Sequence, residues 1–413
     1  MISSLRLPRR RSLELFALAA GPGILVMLGE NDGPSMLSYA ATGAAYGVGF
    51  FVPFILVTFV MAYVVQEMIA RIGIATGRGH AELIRERFGA GWYALTTFDL
   101  TIGNLLTLVT EFIAIRAGAA YFGVPALLAV GASVALVVTA SILRRYVTWE
   151  RAVLLLACGN LLFVPVAFYA HPDPGALVKA LVSWGPLPGG FTAVFLSLVL
   201  ANIGATVTPW MLFFQQSAVV DKGLKPADLG KVRLDTGIGA AFAAVVAIAA
   251  VVAASVLFTH HVDASGFATG ADFASAMRPF IGAHASTLFA LGMIEAGLVA
   301  ALTISASSSY TIGKARTRPG FALTATVSVV LAGALVLVPH APLLAISIAV
   351  NIIAALLMAP ALVFALLLAN DVRLTGNLRN TRAANAASGS IVVAISGLGL
   401  VYAALLVLPL LRH

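Results

Sequence analysis

The stretch LGENDGPSML, residues 28–37, interrupts an apolar run that otherwise extends over residues 13–45. It carries two carboxyl groups, Glu30 and Asp32, and then a Gly-Pro pair. A charged side chain at the centre of a bilayer costs about 3 kcal/mol or more, and proline removes a backbone hydrogen bond that lipid cannot replace. In a membrane helix such a stretch must face protein, water or an ion.

The composition is that of a polytopic membrane protein. Of the 413 residues, 60% are hydrophobic and only 10% are charged, and the mean hydropathy is +1.00. Apolar runs long enough to cross a bilayer recur from end to end and predict one all-α transmembrane domain over residues 1–413. The eleven predicted segments are 13–45 (broken), 48–70, 92–121, 124–143, 152–170, 190–219 (broken), 234–258, 281–311, 321–338, 342–370 and 388–410.

The basic residues predict the orientation. With the N-terminus in the cytoplasm, 21 of the 25 Lys and Arg residues fall in cytoplasmic segments. The opposite face holds Lys179, Arg278 and Arg412, and Arg116 lies within the third segment. This bias follows the positive-inside rule. The net charge of +8 therefore reflects topology and not nucleic-acid binding. We expect a multi-pass protein of the lipid bilayer, in the inner membrane of a bacterium, and the sequence leaves the oligomeric state open, a monomer included.

A second broken stretch, IGATVTPWML (residues 203–212), lies in the sixth segment. It aligns without gaps on LGENDGPSML at an offset of 175 residues, which spans five segments. An odd number of helices per repeat inverts the second copy, and two broken helices at corresponding positions mark the binding site of inverted-repeat transporters. We predict repeats of about 13–170 and 190–370, with an extra helix at 388–410. The matched residues are Gly29 with Gly204, Pro34 with Pro209, and Met36-Leu37 with Met211-Leu212.

The two breaks predict a cation site. Helices unwound at Gly33-Pro34 and at Pro209 would expose backbone carbonyls at the membrane centre. Asp32 is the best anchor, with Glu30 and Asn31 beside it, because neither stretch contains Lys or Arg. The carboxyl groups could also cap the second half of a broken helix, a role that is compatible with ion binding.

At these residues the chain resembles the NRAMP family of metal-ion transporters, which have the LeuT-like fold. The resemblance extends over nearly the whole chain, and the cytoplasmic loop at 75–89 and the TEF of the third segment are its most specific parts. It is carried by GPGILVMLGENDGPSM, ATGRGHAELIRERFG at 75–89, VTEFIAIRAGAAYFGVP at 109–125, GATVTP at 204–209 and ANDVRLTG at 369–376.

The resemblance implies a metal site with altered ligands. Family members carry DPGN in helix 1 and MPH in helix 6, whereas this chain keeps Asp32 but has Ser35 at the Asn position and Thr208 at the Met position. The carbonyl ligand of helix 6 would fall at Ala205. Loss of the thioether and the presence of Glu30 predict an oxygen-only site for hard divalent cations, manganese or magnesium. The ion is the substrate, and no cofactor is expected.

The resemblance also implies weak or absent proton coupling. The family places a His after the helix 6 Pro and an Asp three residues before the helix 3 Glu, where this chain has Trp210 and Leu108. An indole cannot titrate near neutral pH. Candidate pathway residues are Trp210, Glu111, Arg116, Gln215 after the second break, and Glu295 in a hydroxyl-rich eighth segment, where the hydroxyls could line a water-filled path or serve close helix packing.

Two other functions are alternatives to metal transport. A LeuT-like carrier of a small organic cation or amino acid is compatible with the small residues Gly33 and Ala205, but the loop at 75–89 favours NRAMP. An intramembrane enzyme could use Glu30 and Asp32 as a carboxyl pair, yet the sequence contains no GxGD, HExxH or phosphate-loop motif. We therefore expect a transporter and not an enzyme.

Overall fold

The computed structural model describes residues 21–143, 146–185, 189–311 and 318–410, and every regular element in these ranges is helical. The start of the first predicted segment, 13–20, lies outside the described residues. Three short 3₁₀ turns occur at Cys158–Leu162, Pro226–Asp228 and Gly376–Leu378. The helices are α1 (Pro22–Glu30), α2 (Gly33–Tyr46), α3 (Phe51–Thr76), α4 (His80–Phe88), α5 (Ala90–Tyr121), α6 (Ala126–Ile142), α7 (Tyr146–Ala157), α8 (Phe163–Tyr169), α9 (Pro174–Ser183), α10 (Ala193–Gly204), α11 (Pro209–Asp221), α12 (Leu229–Thr259), α13 (Gly270–Thr311), α14 (Arg318–Val336), α15 (Leu343–Asn370), α16 (Val372–Thr375) and α17 (Arg382–Leu410).

All eleven predicted segments are represented by these helices. In the described ranges, nine helical spans are long and apolar enough to cross a membrane, with α10 and α11 counted as one span and α7 and α8 as another. The shorter helix α6 and the pair α1 and α2 supply the other two. The all-α prediction is confirmed. The sequence did not predict α4 and α9, which lie in connecting segments.

The first break lies slightly before the predicted position. Helix α1 ends at Glu30, and Asp32 is the N-cap of α2, where its Oδ1 accepts a hydrogen bond from the Ser35 backbone N–H at 2.8 Å. The prediction that Gly33 and Pro34 are unwound was wrong, because both belong to the first turn of α2. Proline is favoured there since first-turn N–H groups have no helical acceptor.

The second break likewise lies just before its proline. Helix α10 ends at Gly204, residues 205–208 are not helical, and Pro209 begins α11. Pro209 therefore starts the second half-helix, and the residues that lose helical geometry precede it. Both broken helices are confirmed, and the free backbone groups at each break lie on the N-terminal side of the proline.

Neighbouring helices fix the positions of the two breaks. Helix α12 packs along both α1 and α2, α11 packs on α3, and α10 packs on α15. Buried amides connect these helices: Asn351 of α15 donates from Nδ2 to Ser38 Oγ at 2.9 Å, and Asn202 of α10 donates to Thr42 Oγ1 at 2.7 Å. The half-helices are thus fixed from several sides, as a site between them requires.

Candidate metal-ion site

A direct hydrogen bond joins the two breaks. Thr208 is the last residue before α11, and Glu30 is the last residue of α1. The Thr208 hydroxyl, Oγ1, donates to Glu30 Oε2 at 2.9 Å. Glu30 is 0% and Thr208 2% exposed. The other carboxyl oxygen, Glu30 Oε1, is buried without a hydrogen-bond partner. Two residues 178 positions apart, one from each broken stretch, therefore meet.

A second group of carboxyl atoms surrounds the start of α2. Glu111 of α5 accepts a hydrogen bond from the Gly33 backbone N–H at 3.0 Å through Oε2. Because Gly33 directly follows Asp32, this bond brings Glu111 beside Asp32. Glu111 Oε1 and Ser35 Oγ are buried and have no partner. Glu111 was predicted only as a pathway residue, and the structure brings it beside Asp32.

The carbonyl of Ala205 is available at the second break but already has one donor. Tyr39 of α2 donates from its hydroxyl to Ala205 O at 2.9 Å and lies 3.2 Å from Thr206 Oγ1. Thr58 of α3 lies 3.1 Å from the same Thr206 hydroxyl. Sequence reasoning missed Tyr39, Thr58 and Thr206, because hydroxyl residues in apolar segments are also common in helix packing.

Two buried amides fix the end of α1. Asn31 donates from Nδ2 to Ala243 O of α12, and Asn160, in the 3₁₀ turn 158–162, donates from Nδ2 to Leu28 O, both at 2.9 Å. The Oδ1 atoms of Asn31 and Asn160 have no partner. Asn160 thus satisfies a carbonyl that the break leaves free, and it was not predicted.

The chemistry of these atoms suits a cation. The unpartnered buried oxygens Glu30 Oε1, Glu111 Oε1, Asn31 Oδ1 and Ser35 Oγ are all acceptors or can act as such. None of the hydrogen bonds described for Glu30, Asp32 and Glu111 comes from Lys, Arg or His. Among the described residues, no group of three or more His, Cys, Asp or Glu side chains could hold an ion by itself. An ion would therefore need carbonyl or hydroxyl ligands as well.

Trp210 and Gln215 are buried on α11. The Trp210 ring lies beside Gly29 of α1 and Thr303 of α13. The backbone carbonyl of Trp210 accepts a hydrogen bond from the Ser307 hydroxyl at 3.0 Å. Both side-chain polar atoms of Gln215 lack a partner, as do those of Gln66 on α3, which sequence reasoning missed. The two amides belong to helices α3 and α11, which pack on each other.

Two predicted pathway residues have other contacts. Arg116 of α5 donates from Nη1 to the carbonyl of Val336, at the end of α14, at 2.7 Å. Glu295 of α13 lies against Gly159, and neither of its carboxyl oxygens has a partner. Neither residue forms a described hydrogen bond with Glu30, Asp32 or Thr208.

The chain resembles known proteins in both its sequence and its fold. The family model "Natural resistance-associated macrophage protein-like" (Nramp) matches residues 23–405. The divalent metal cation transporter MntH of Erwinia tasmaniensis is 30% identical over 294 residues, which cover 68% of each chain. The MntH of Yersinia enterocolitica is 28% identical over 305 residues, covering 70% of this chain and 71% of that one.

The solved structures agree on the fold. A manganese transporter of Eremococcus coleocola superposes with a TM-score of 0.75 at 21% identity, covering 97% of this chain and 88% of that one. A Na⁺-coupled sialic acid symporter superposes with a TM-score of 0.57 at 12% identity, covering 92% and 89%. These similarities concern architecture alone.

The comparisons and the geometry lead to one assignment. The matched relatives are named as transporters, which removes the intramembrane-enzyme alternative. The family match covers both broken helices, α5 and the loop that contains α4. The chain is a multi-pass membrane protein and belongs to the Nramp family.

Proposed function

We propose that this protein transports divalent metal ions, and that the ion binds between the two breaks. The observation that carries the proposal is the contact between Glu30 and Thr208, which brings two unwound stretches together around buried, unpartnered oxygens. A buried acidic pocket without a basic partner is costly unless a cation neutralises it. The names of the related transporters support a divalent metal as that cation.

The ligand set favours hard ions. The proposed ligands are the Asp32 carboxylate, the Ser35 and Thr208 hydroxyls, the Ala205 carbonyl and Glu30, with Asn31 as a further candidate. All of these offer oxygen, which suits manganese and magnesium better than softer metals. The Ala205 carbonyl accepts from Tyr39 and keeps a second lone pair for the ion. The Glu30 carboxyl accepts from Thr208 with one oxygen and keeps the other for the ion.

Transport would proceed by alternating access about the broken helices. Each break leaves a half-helix on either side, α1 and α2 at one and α10 and α11 at the other. Irregular backbone at membrane depth is tolerated where it lines a cavity, and helix ends supply charges for an ion there. In this proposal the half-helices tilt in turn about the bound ion, while the Thr208–Glu30 bond keeps the two breaks together around it.

Proton coupling is proposed to be weak or absent. Trp210 directly follows Pro209 and is buried, so no imidazole occupies that place. Leu108, also buried, precedes Glu111 by one helical turn on α5. The Arg116 guanidinium is engaged with the Val336 carbonyl. A relay that carries protons across the membrane needs a chain of titratable groups, and these positions do not provide one.

The test is uptake into liposomes that contain the purified protein. Manganese influx is expected for the wild type and for the control Asp263→Asn, whose carboxylate is exposed in the loop after α12 and accepts from Ser265 N–H. Asp32→Asn is expected to abolish influx. A pH dye in the lumen should report no acidification in step with manganese entry. Equal influx with Asp32→Asn would overturn the site, and stoichiometric acidification would overturn the weak coupling.

A further inference from the structure

A basic cleft lies at the face that the charge bias predicts to be cytoplasmic, away from the metal site. It has a volume of about 440 Å³ and is bounded by α3, α12 and the segment that leads into α17. Among the described residues, its charged lining side chains are Arg71, Arg233, Arg379 and one acid, Glu67. The remaining lining residues are Tyr63, Val64, Met68, Asn377, Leu378, Thr381, Ala383, Ala384, Ala387 and Ser388.

The single acid is already engaged by two of the arginines. Glu67 accepts from Arg71 Nε at 3.1 Å, the i,i+4 pair that the sequence predicts, and from Arg233 Nη2 at 2.8 Å. Arg71 is 5% exposed and also donates to Leu378 O and to Asn380 Oδ1. This network holds the start of α17 against α3. With three guanidiniums and one carboxylate, the cleft retains a charge of +2.

Arg379 is the group free to bind a ligand. It is exposed, and the described ion pairs and hydrogen bonds give its guanidinium no partner. The cleft also includes Ala383 in the first turn of α17, where the helix N-terminus favours an anion. The N–H of Ala384 already donates to Thr381 Oγ1 at 3.2 Å. A guanidinium next to a helix N-terminus binds a phosphate oxygen well.

The surface beside the cleft fits an acyl chain. Val64 and Glu67 line the cleft on α3, and Val60, one turn earlier on the same face, is 63% exposed. Leu234, which follows Arg233 on α12, is 65% exposed. A polar, positively charged cleft that opens onto exposed apolar side chains at a membrane interface matches an amphiphile and not a fully soluble anion.

We propose that this cleft binds the phosphate headgroup of an anionic phospholipid of the inner leaflet. The lipid phosphate would lie between Arg379 and Arg233, with its acyl chains along Val60 and Leu234. The bound lipid would then hold α17 to α3 and α12. The site is independent of the breaks and of metal binding.

The experiment is a titration of delipidated, full-length protein in detergent with short-chain phosphatidylglycerol, read by native mass spectrometry and thermal unfolding. The wild type should bind the lipid and unfold at a higher temperature. Arg379→Ala should bind about fivefold more weakly, the effect of one basic residue near a membrane surface. Lys231→Ala removes one charge from the same face but outside the cleft, and it should bind as the wild type does.

Three kinds of result would overturn the proposal. The first is no binding to the wild type, or equal binding by Arg379→Ala. The second is equal binding of phosphatidylcholine, since the cleft would then not distinguish a net negative headgroup. The third is equal protection by soluble glycerol phosphate, which would assign the cleft to a free phosphate compound and not to a lipid. Arg379 is exposed and has no ion-pair partner among the described residues, so its removal is not expected to prevent folding.

Discussion

Thr208→Val is the sharpest single test of how the two breaks cooperate. The substitution keeps the shape of the side chain and removes only the hydroxyl that donates to Glu30 Oε2 at 2.9 Å. Glu30 would then have no described donor for either oxygen, since Oε1 has none already. In the proposed site the same hydroxyl is also a ligand, so its loss should weaken ion binding from two causes.

The magnitude follows from the bond that is lost. A hydrogen bond to a charged group contributes about 1.5–3 kcal/mol. Since each 1.4 kcal/mol corresponds to about a factor of ten in affinity, manganese binding by Thr208→Val should weaken by about tenfold to a hundredfold. The loss should fall on affinity and leave the helices in place, because a valine side chain fills the same volume.

The assay is calorimetric titration of the purified protein with manganese, with Thr110→Val as the matched control. Thr110 is 0% exposed and lies next to Glu111, but its hydroxyl donates only to Thr107 O of its own helix at 2.7 Å. The control should bind manganese as the wild type does. Unchanged affinity in Thr208→Val would refute the view that this hydroxyl joins the two breaks around the ion.

Three further outcomes are expected from thermal unfolding of purified variants. Gly33→Ala should lower the unfolding temperature, because its methyl group would lie 2.1 Å from Ala114 Cβ and overpacking costs about 1–3 kcal/mol; Gly131→Ala, which meets nothing within 4 Å, should not. Burial lowers the pKa of His80 to about 4, whereas an unfolded chain has a histidine pKa of roughly 6.5. The unfolded state therefore binds a proton more readily, and the free energy of unfolding should fall as the pH drops from about 6.5 towards 4. A His80→Gln variant whose stability has the same pH slope would contradict this. Glu295→Gln should raise the unfolding temperature, because neither carboxyl oxygen has a partner and an amide is less costly to bury than a carboxylate; a lower temperature would show that the carboxyl group is needed.

The sequence was most informative about the fold where polar residues and proline interrupt an apolar segment. Carboxyl groups and a Gly-Pro pair in an apolar run cannot be tolerated as a continuous lipid-facing helix, so a break near Asp32 was predictable. The position of the break was wrong by about two residues, because proline favours the first turn of the helix that follows it. The i,i+4 pair of Glu67 and Arg71 was likewise predictable, since helical spacing alone brings the two side chains together.

The supporting contacts were not predictable from local pattern. The bonds from Tyr39 to Ala205 and from Asn160 to Leu28 join residues more than 130 positions apart. A tyrosine or asparagine in an apolar segment has many satisfactory partners, and only the packing of the helices selects one. For the same reason the sequence did not show that Glu111 lies beside Asp32. The inverted repeat stays a prediction that rests on the alignment of the two breaks.

The most direct test of the central claim is a calorimetric titration of the wild type and Asp32→Ala with manganese, magnesium and cadmium. The account predicts that manganese and magnesium bind the wild type, that cadmium binds weakly, and that Asp32→Ala binds none of them. Cadmium binding tighter than manganese, or manganese binding that survives in Asp32→Ala, would contradict an oxygen-only site for hard cations at the two breaks.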